Sequence, residues 1–396
     1  MNKLKCFFCQ EQSSFVPNQI QCPRCGQPML FAEEHDKKKK VYEEKNLSIE
    51  KYRDFLPLDS VDPDLSLGEG QTPLIRLSNL ERQLKLPALM AKVEAANPTL
   101  SFKDRGTVIV VQKARQMGLE RIGTVSTGNM AASTAAYAAR AGMETVVLIK
   151  KGASAMSVLA AAVFNPLIIE VDGDYGQLFY LSYELGRKYG IYFANSIDPL
   201  RIEGYKLTSF EIFQQLKECP DYLFVPVSSG GHLIGLIKGF VELKNSGFIS
   251  HLPRIIGVQA EGCSPIARAF VAGGEKVKKF HKVKTIAHSI SNPSPPGGSL
   301  VLKLLREHKG EMVAVSDEEM LQSQEILCQS EGLFVQPESA STLSAYLRYV
   351  DRIQGSAVLI LTGHGLKASS RPSPYAFRRS RASTSGLSNT LKKYFE

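Results

Sequence analysis

The 396-residue sequence has no apolar run of the roughly 18–20 residues that a membrane span needs. No secretory signal precedes the first cysteines, because Met1 leads almost directly into Cys6 and Cys9. Both absences predict a cytoplasmic protein with no membrane partner. No internal repeat is visible. Neither G-x-G-x-x-G nor G-x-x-x-x-G-K-[ST] occurs, so neither a dinucleotide site nor a P-loop triphosphate site is signalled.

What is present is an ordinary soluble composition with a formal net charge of +9. The excess is concentrated in Lys37 to Lys40, in Lys276, Lys278, Lys279, Lys282 and Lys284, and in Arg371, Arg378, Arg379 and Arg381. Such runs usually belong to solvated faces or flexible segments, and a nucleic-acid partner is the lesser reading. Cys219, Cys263 and Cys328 are scattered, as buried small apolar residues are.

Short β-branched runs alternate with helical patterns between residues 67 and 367. Candidate strands are Leu89–Val93, Ile122–Ser126, Thr145–Ile149, Leu167–Val171, Leu223–Val227, Ile255–Gln259 and Ala357–Thr362. Met130–Gly142 and Leu178–Tyr189 read as helices. The alternation predicts an α/β fold with mostly parallel sheets flanked by helices. Ligands of such folds collect where strands end and helices begin. Three glycine-bearing strand ends qualify: Ser126-Thr127-Gly128-Asn129, Ser228-Ser229-Gly230-Gly231-His232 and Thr362-Gly363-His364-Gly365. A glycine pair before a helix lets backbone N–H groups converge on a phosphate.

Asn97-Pro98-Thr99-Leu100-Ser101-Phe102-Lys103-Asp104-Arg105-Gly106 follows one candidate strand and opens a helical pattern. A lysine in the first turn of a helix is poorly placed for the macrodipole, which favours its neutral form. A neutral amine can form an imine or act as a base. Local physics alone leaves a surface lysine beside Asp104 as the competing reading.

This stretch resembles the cofactor-lysine motif of the threonine synthases, which are fold type II pyridoxal-phosphate enzymes. Leu67-Gly68-Glu69-Gly70-Gln71-Thr72-Pro73-Leu74 resembles the segment that opens their catalytic domain. The asparagine loop at Asn129, Asn195-Ser196-Ile197-Asp198-Pro199-Leu200-Arg201-Ile202-Glu203-Gly204, Gly257-Val258-Gln259-Ala260-Glu261-Gly262, Ser291-Asn292-Pro293 and Leu361-Thr362-Gly363-His364-Gly365-Leu366-Lys367 follow in the family's order. The resemblance implies a two-lobed fold related to the tryptophan synthase β subunit, and a homodimer.

The resemblance also implies roles. Lys103 would carry pyridoxal 5′-phosphate as a Schiff base and move protons on the substrate. Asn129 would meet the cofactor's phenolic oxygen. Ser228, Ser229, Gly230, Gly231 and His232 would offer backbone N–H groups to its phosphate. Thr362 would face the pyridine nitrogen, and a hydroxyl there favours elimination and replacement chemistry. Ser101, Thr127 and Asn129 would lie at the substrate carboxylate, with Ser196 and Arg201 at a second anionic group. The implied reaction converts O-phospho-L-homoserine and water to L-threonine and phosphate.

Some positions depart from the family pattern. The phosphate loop reads Ser228-Ser229-Gly230-Gly231-His232 rather than Gly-Asn-Gly-Gly-Asn. Val158 stands where many members carry lysine, Leu100 where glycine is commoner, and Gln336-Pro337-Glu338-Ser339-Ala340 replaces Glu-Pro-Ala-Ser-Ala. These changes fall where a substrate would be recognised. They keep in view a cysteate synthase-like β-replacement on O-phosphoserine and an amino-acid dehydratase.

Cys6-Phe7-Phe8-Cys9 and Cys22-Pro23-Arg24-Cys25 give two C-x2-C pairs separated by twelve residues. That spacing predicts four thiolates closed on a structural zinc. The zinc ribbon and the charge of +9 motivate a rival of another class, a non-catalytic nucleic-acid binder; Lys103, Asn129 and Thr362 speak against it. The predicted organisation is a zinc ribbon over 1–35, a linker over 36–66, a catalytic domain over 67–367 and a basic extension over 368–396.

Overall fold

The computed structural model describes residues 3–32, 40–152 and 155–368. Lys37 to Lys39 of the first basic run lie outside the described residues, as does the tail from 369, with Arg371, Arg378, Arg379 and Arg381.

The chain forms three sheets. The N-terminal one is antiparallel, with β1 (Lys3–Cys6) between β2 (Gln12–Ser14) and β3 (Met29–Phe31). The large lobe holds six strands: β4 (Leu74–Arg76), β5 (Leu89–Val93), β10 (Tyr222–Pro226), β11 (Arg254–Ala260), β12 (Glu311–Val315) and β13 (Ala357–Leu361). Their order is β12-β11-β10-β13-β5-β4, parallel except for β4 at the edge. The small lobe is a parallel sheet of β6 (Arg121–Val125), β7 (Glu144–Lys150), β8 (Leu167–Val171) and β9 (Tyr192–Phe193), in the order β8-β7-β6-β9. Central strands such as β13, Ala-Val-Leu-Ile-Leu, are buried along their whole length. Helices cover both faces of a parallel sheet, so such strands read as unbroken apolar runs.

The segment predicted as a linker is packed rather than free. Ile49, Tyr52, Phe55 and Leu56 are buried in the large core, where Tyr52 and Phe55 contact Phe210. The N-terminal sheet is equally integrated, because Leu30 and Phe31 share that core with Tyr137 and Tyr192. Asn18 fastens the sheet to the small lobe. Its amide donates to Ile191 O at 2.9 Å, and its oxygen accepts from Phe193 N at 2.8 Å. On the other side Lys303, in the large lobe, lies 5.9 Å from the Phe8 ring centroid.

Beside β5 lies a buried network of charge. Arg105 meets Glu94 at 2.5 Å and Glu211 at 2.6 Å, and Lys92 meets Glu211 at 2.8 Å. Thr72 Oγ1 donates to Glu94, while Ser48 Oγ and Gln71 N donate to Glu211. Burial alone would raise the Glu211 carboxyl, but Arg105 and Lys92 hold it far below the usual carboxylate range. The network ties the 48–72 segment, β5 and the helices Lys103–Gln116 and Leu207–Leu216 together. Removing one member of such a cluster leaves the others charged and buried. Arg105→Ala should therefore destabilise the fold by about 3–5 kcal/mol, read as a fall in the urea midpoint by circular dichroism. A midpoint equal to that of the wild type would show the network to be dispensable.

Candidate functional site

Four helices begin around one cleft between the lobes. Lys103–Gln116 follows β5, Asn129–Arg140 follows β6, Gly231–Asn245 follows β10, and Pro337–Tyr349 precedes β13. Their unsatisfied N-terminal N–H groups and macrodipoles favour an anionic ligand. The cleft is a cavity of about 1610 Å³, lined among others by Lys103, Thr127, Asn129, Ser196, Ser229, His232 and Thr362.

Lys103 is the first residue of its helix, as the sequence predicted. Its Nζ lies 4.1 Å from the Phe102 ring centroid and 5.7 Å from that of Tyr205. Desolvation and then the charge of Arg201 push its pKa down to about 7. Burial and then a neighbouring cation thus bring the titration of this amine down to near neutral pH. The backbone ahead of it is lashed to the end of β13: Phe102 N donates to Thr362 O at 3.1 Å and His364 N to Leu100 O at 3.1 Å. Leu100 holds φ 62°, a left-handed conformation that costs a branched side chain roughly 1–2 kcal/mol. The turn geometry thus accounts for glycine being commoner at that position.

Asn129 donates to Gln336 Oε1 at 2.9 Å, and Thr362 Oγ1 lies 2.9 Å from Ser339 Oγ. Gly230 adopts φ +100°, and a Cβ there would sit 2.8 Å from Val301. A Cβ on Gly231 would sit 2.2 Å from the Ser196 carbonyl oxygen. The loop can turn into its helix only with glycine at both positions, which leaves the amide hydrogens of the first turn open to a ligand. Ser228 lines the cavity beside them. Ser229 Oγ accepts from Asn292 Nδ2 at 2.9 Å, which frees its own proton for a ligand. Ser196 Oγ is buried on the cavity wall with no hydrogen-bond partner among the described residues.

The structure does not bring every predicted residue to the cavity. Arg201, expected to hold an anion, is fully buried behind the Lys103 helix. Its Nε donates to Ala194 O at 2.6 Å, and its terminal nitrogens donate to Thr107 and Thr134 at 2.7 and 2.8 Å. A guanidinium used in this way acts on the site through its field at Lys103. Ser101 is also buried, paired in a backbone bridge with Gly363, and its Oγ has no partner. Val158 packs against the Ala131–Ala161 cluster, so Leu159 and Val163 face the cavity. Sequence reasoning missed Gln336, Ser339 and the Phe102–Tyr205–His232 aromatic nest. Only the Pro337-Glu338-Ser339 motif gave a signal for the first two.

Of the four cysteines, Cys6 and Cys22 are buried and Cys25 is exposed. All four Sγ atoms lie within 4.8 Å of one another, with Cys6 to Cys25 at 3.4 Å and Cys9 to Cys22 at 3.5 Å. Zn–S bonds of about 2.3 Å imply a tetrahedron with edges of roughly 3.8 Å, so the four thiols fit such an ion.

A desolvated lysine at the junction of two parallel-sheet lobes, facing a glycine-built anion cradle, defines a class: enzymes that bind a phosphorylated aldehyde through an amine. The sequence profile described as "Pyridoxal-phosphate dependent enzyme" matches residues 65–363. The threonine synthase of Methanocaldococcus jannaschii is 39% identical over 341 residues, which span 83% of this chain and 84% of that protein. The threonine synthase of a Bacillus species is 38% identical over 81% of this chain and 89% of its own length. A maize serine racemase structure superposes with a TM-score of 0.66 at 20% identity, over 82% of this chain and 92% of that one; at that distance it speaks for the fold alone. The chain belongs to the pyridoxal-phosphate dependent enzyme family, with the two-lobed fold type II architecture, and is a threonine synthase-like lyase within it. No helix among the described residues is long and apolar enough to cross a membrane.

The acidity of Lys103 gives a direct test. In cofactor-free protein, acylation of its amine should titrate with a midpoint at about 7. The neutral form reacts, so the rate should rise as pH increases from roughly 6 to 8, about three units below ordinary lysines. Peptide mapping of the labelled protein across pH would measure it, and a midpoint in the ordinary lysine range would refute the assigned environment.

Proposed function

We propose that this enzyme converts O-phospho-L-homoserine and water to L-threonine and phosphate, in the cytoplasm and as a homodimer. The observation that carries the reaction is the place of Lys103 in the cleft, with its pKa brought down to about 7, in a chain that matches threonine synthases over most of its length.

The residues present fit pyridoxal phosphate: an anion cradle that admits no Cβ, unpartnered buried hydroxyls and a desolvated lysine. When bound, the cofactor supplies an electron sink for carbanions formed on the substrate's carbon chain. Lys103 holds it and, as the free amine, takes and returns protons at the substrate carbons. Asn129, held by Gln336, would present its amide to the cofactor ring. Thr362, anchored by Ser339, offers a hydroxyl to the ring nitrogen. Residues 228–232 take the cofactor phosphate. Thr127 and the Asn129 helix terminus would receive the substrate carboxylate. Ser196 and Ser229, with Asn292 behind it, give neutral donors to the leaving phosphate. Arg201 has no part in that contact and instead adds to the effect of burial in lowering the pKa of Lys103.

Cys6, Cys9, Cys22 and Cys25 hold a structural zinc in this reading. The ribbon, through its described residues 3–32, docks on the catalytic domain of 67–367.

Purified holoenzyme should release phosphate from O-phospho-L-homoserine and form threonine, by molybdate assay and amino-acid analysis. Activity only with O-phosphoserine plus sulfite, or only with unphosphorylated amino acids, would move the enzyme to another reaction. Lys103→Ala should abolish the visible absorbance of bound cofactor and reduce turnover by at least about a thousandfold. Metal analysis should find about one zinc per chain, and Cys9→Ser should lose it and lower the thermal midpoint. Protein that is metal-free yet equally stable would exclude a structural zinc.

A further inference from the structure

The side chain of His232 is the least explained group in the cleft. It is buried, with 6% of its surface exposed, yet neither ring nitrogen has a hydrogen-bond partner among the described residues. Its ring stacks on Phe102 at 3.9 Å and 11°, and meets Tyr205 edge-on at 5.7 Å and 68°. Two aromatic neighbours therefore fix the ring plane without satisfying its polar atoms. Burial of an unsatisfied donor and acceptor is costly, and sites of this kind are normally completed by a ligand.

The position narrows the ligand. His232 is the second residue of the Gly231–Asn245 helix, which spans 15 residues, and it lines the cavity. The left-handed Gly230 turns the chain so that the first-turn N–H groups face the same space. Burial, and then the charges of Lys103 and Arg105, hold the imidazole well below its usual pKa. Arg105 is matched by Glu94 and Glu211, and Arg201 lies behind Lys103 with its nitrogens bound within the protein. A neutral imidazole keeps one N–H to donate. The complement of helix amides and one ring N–H, in a cleft that also carries the Lys103 amine, is a phosphate monoester.

We infer that the His232 imidazole donates a ring N–H to the phosphate of the bound cofactor, adding a side-chain donor to a cradle otherwise made of backbone amides. This rests on the pyridoxal-phosphate reading of Lys103. The stack on Phe102, the residue next to Lys103, would then link the seating of the phosphate to the position of the amine.

The test compares cofactor dissociation constants, by absorbance titration, and ³¹P NMR shifts of the bound phosphate. His232→Phe keeps a ring to stack on Phe102 but removes the donor; it should weaken cofactor binding by about ten- to a hundredfold and move the ³¹P signal. His232→Asn restores an amide donor and should recover part of the loss. In wild-type protein labelled with ¹⁵N-histidine, one His232 ring nitrogen should shift on loading, a readout that needs no stable variant at the site. Equal affinity and an unmoved ³¹P signal in His232→Phe overturn the inference. So does a loss confined to KM for the phosphorylated substrate. Failure of the wild type to take up cofactor sinks the parent reading as well, whereas normal wild-type uptake with an indifferent His232→Phe sinks this one alone.

Discussion

The buried contact of Arg105 with Glu94 and Glu211 is the constraint on which the site depends. It lies two residues beyond Lys103, in the first turn of the same helix. Charges taken out of water must be matched in place, so the network sets one arrangement of β5, the Lys103 helix, the Leu207–Leu216 helix and the 48–72 segment. The lysine amine is then presented at a fixed depth. At that depth desolvation becomes the main cause of its lowered pKa. A structural ion cluster and a chemical property of the cleft are thus coupled through one helix turn.

The second constraint is the meeting of helix starts. Strands β5, β6 and β10 all deliver their chains to the same cleft, and each is followed by a helix that begins there. Parallel sheets place their carboxyl ends together, so fold and charge preference arise from one topology. The large sheet needs the small lobe to close the cleft, and the small sheet supplies Thr127 and Asn129 from the end of β6.

The parts legible in the sequence are those with strong local patterns. Leu89–Val93 and Leu167–Val171 are strands with the predicted bounds, and the remaining central strands shift by a residue or so. Strands buried on both faces need β-branched runs, and that need is visible in composition. Glu311–Val315 was not legible, because its pattern of half-buried positions gives no clean run. Tyr192–Phe193 is too short to signal anything. Lys103, singled out by its motif, lines the cleft, whereas Arg201 does not. An arginine that will satisfy itself on two threonines and a carbonyl looks in sequence like one that will bind phosphate. The linker over 36–66 misled for a related reason: its charged residues hid Tyr52 and Phe55, which carry the packing.

The N-terminal ribbon touches both lobes, through Asn18 at β9 and through Phe8 at Lys303. It therefore works as a splint across the hinge line of a cleft it does not line. Any swing of the small lobe must either carry the ribbon along or break the Asn18 bonds.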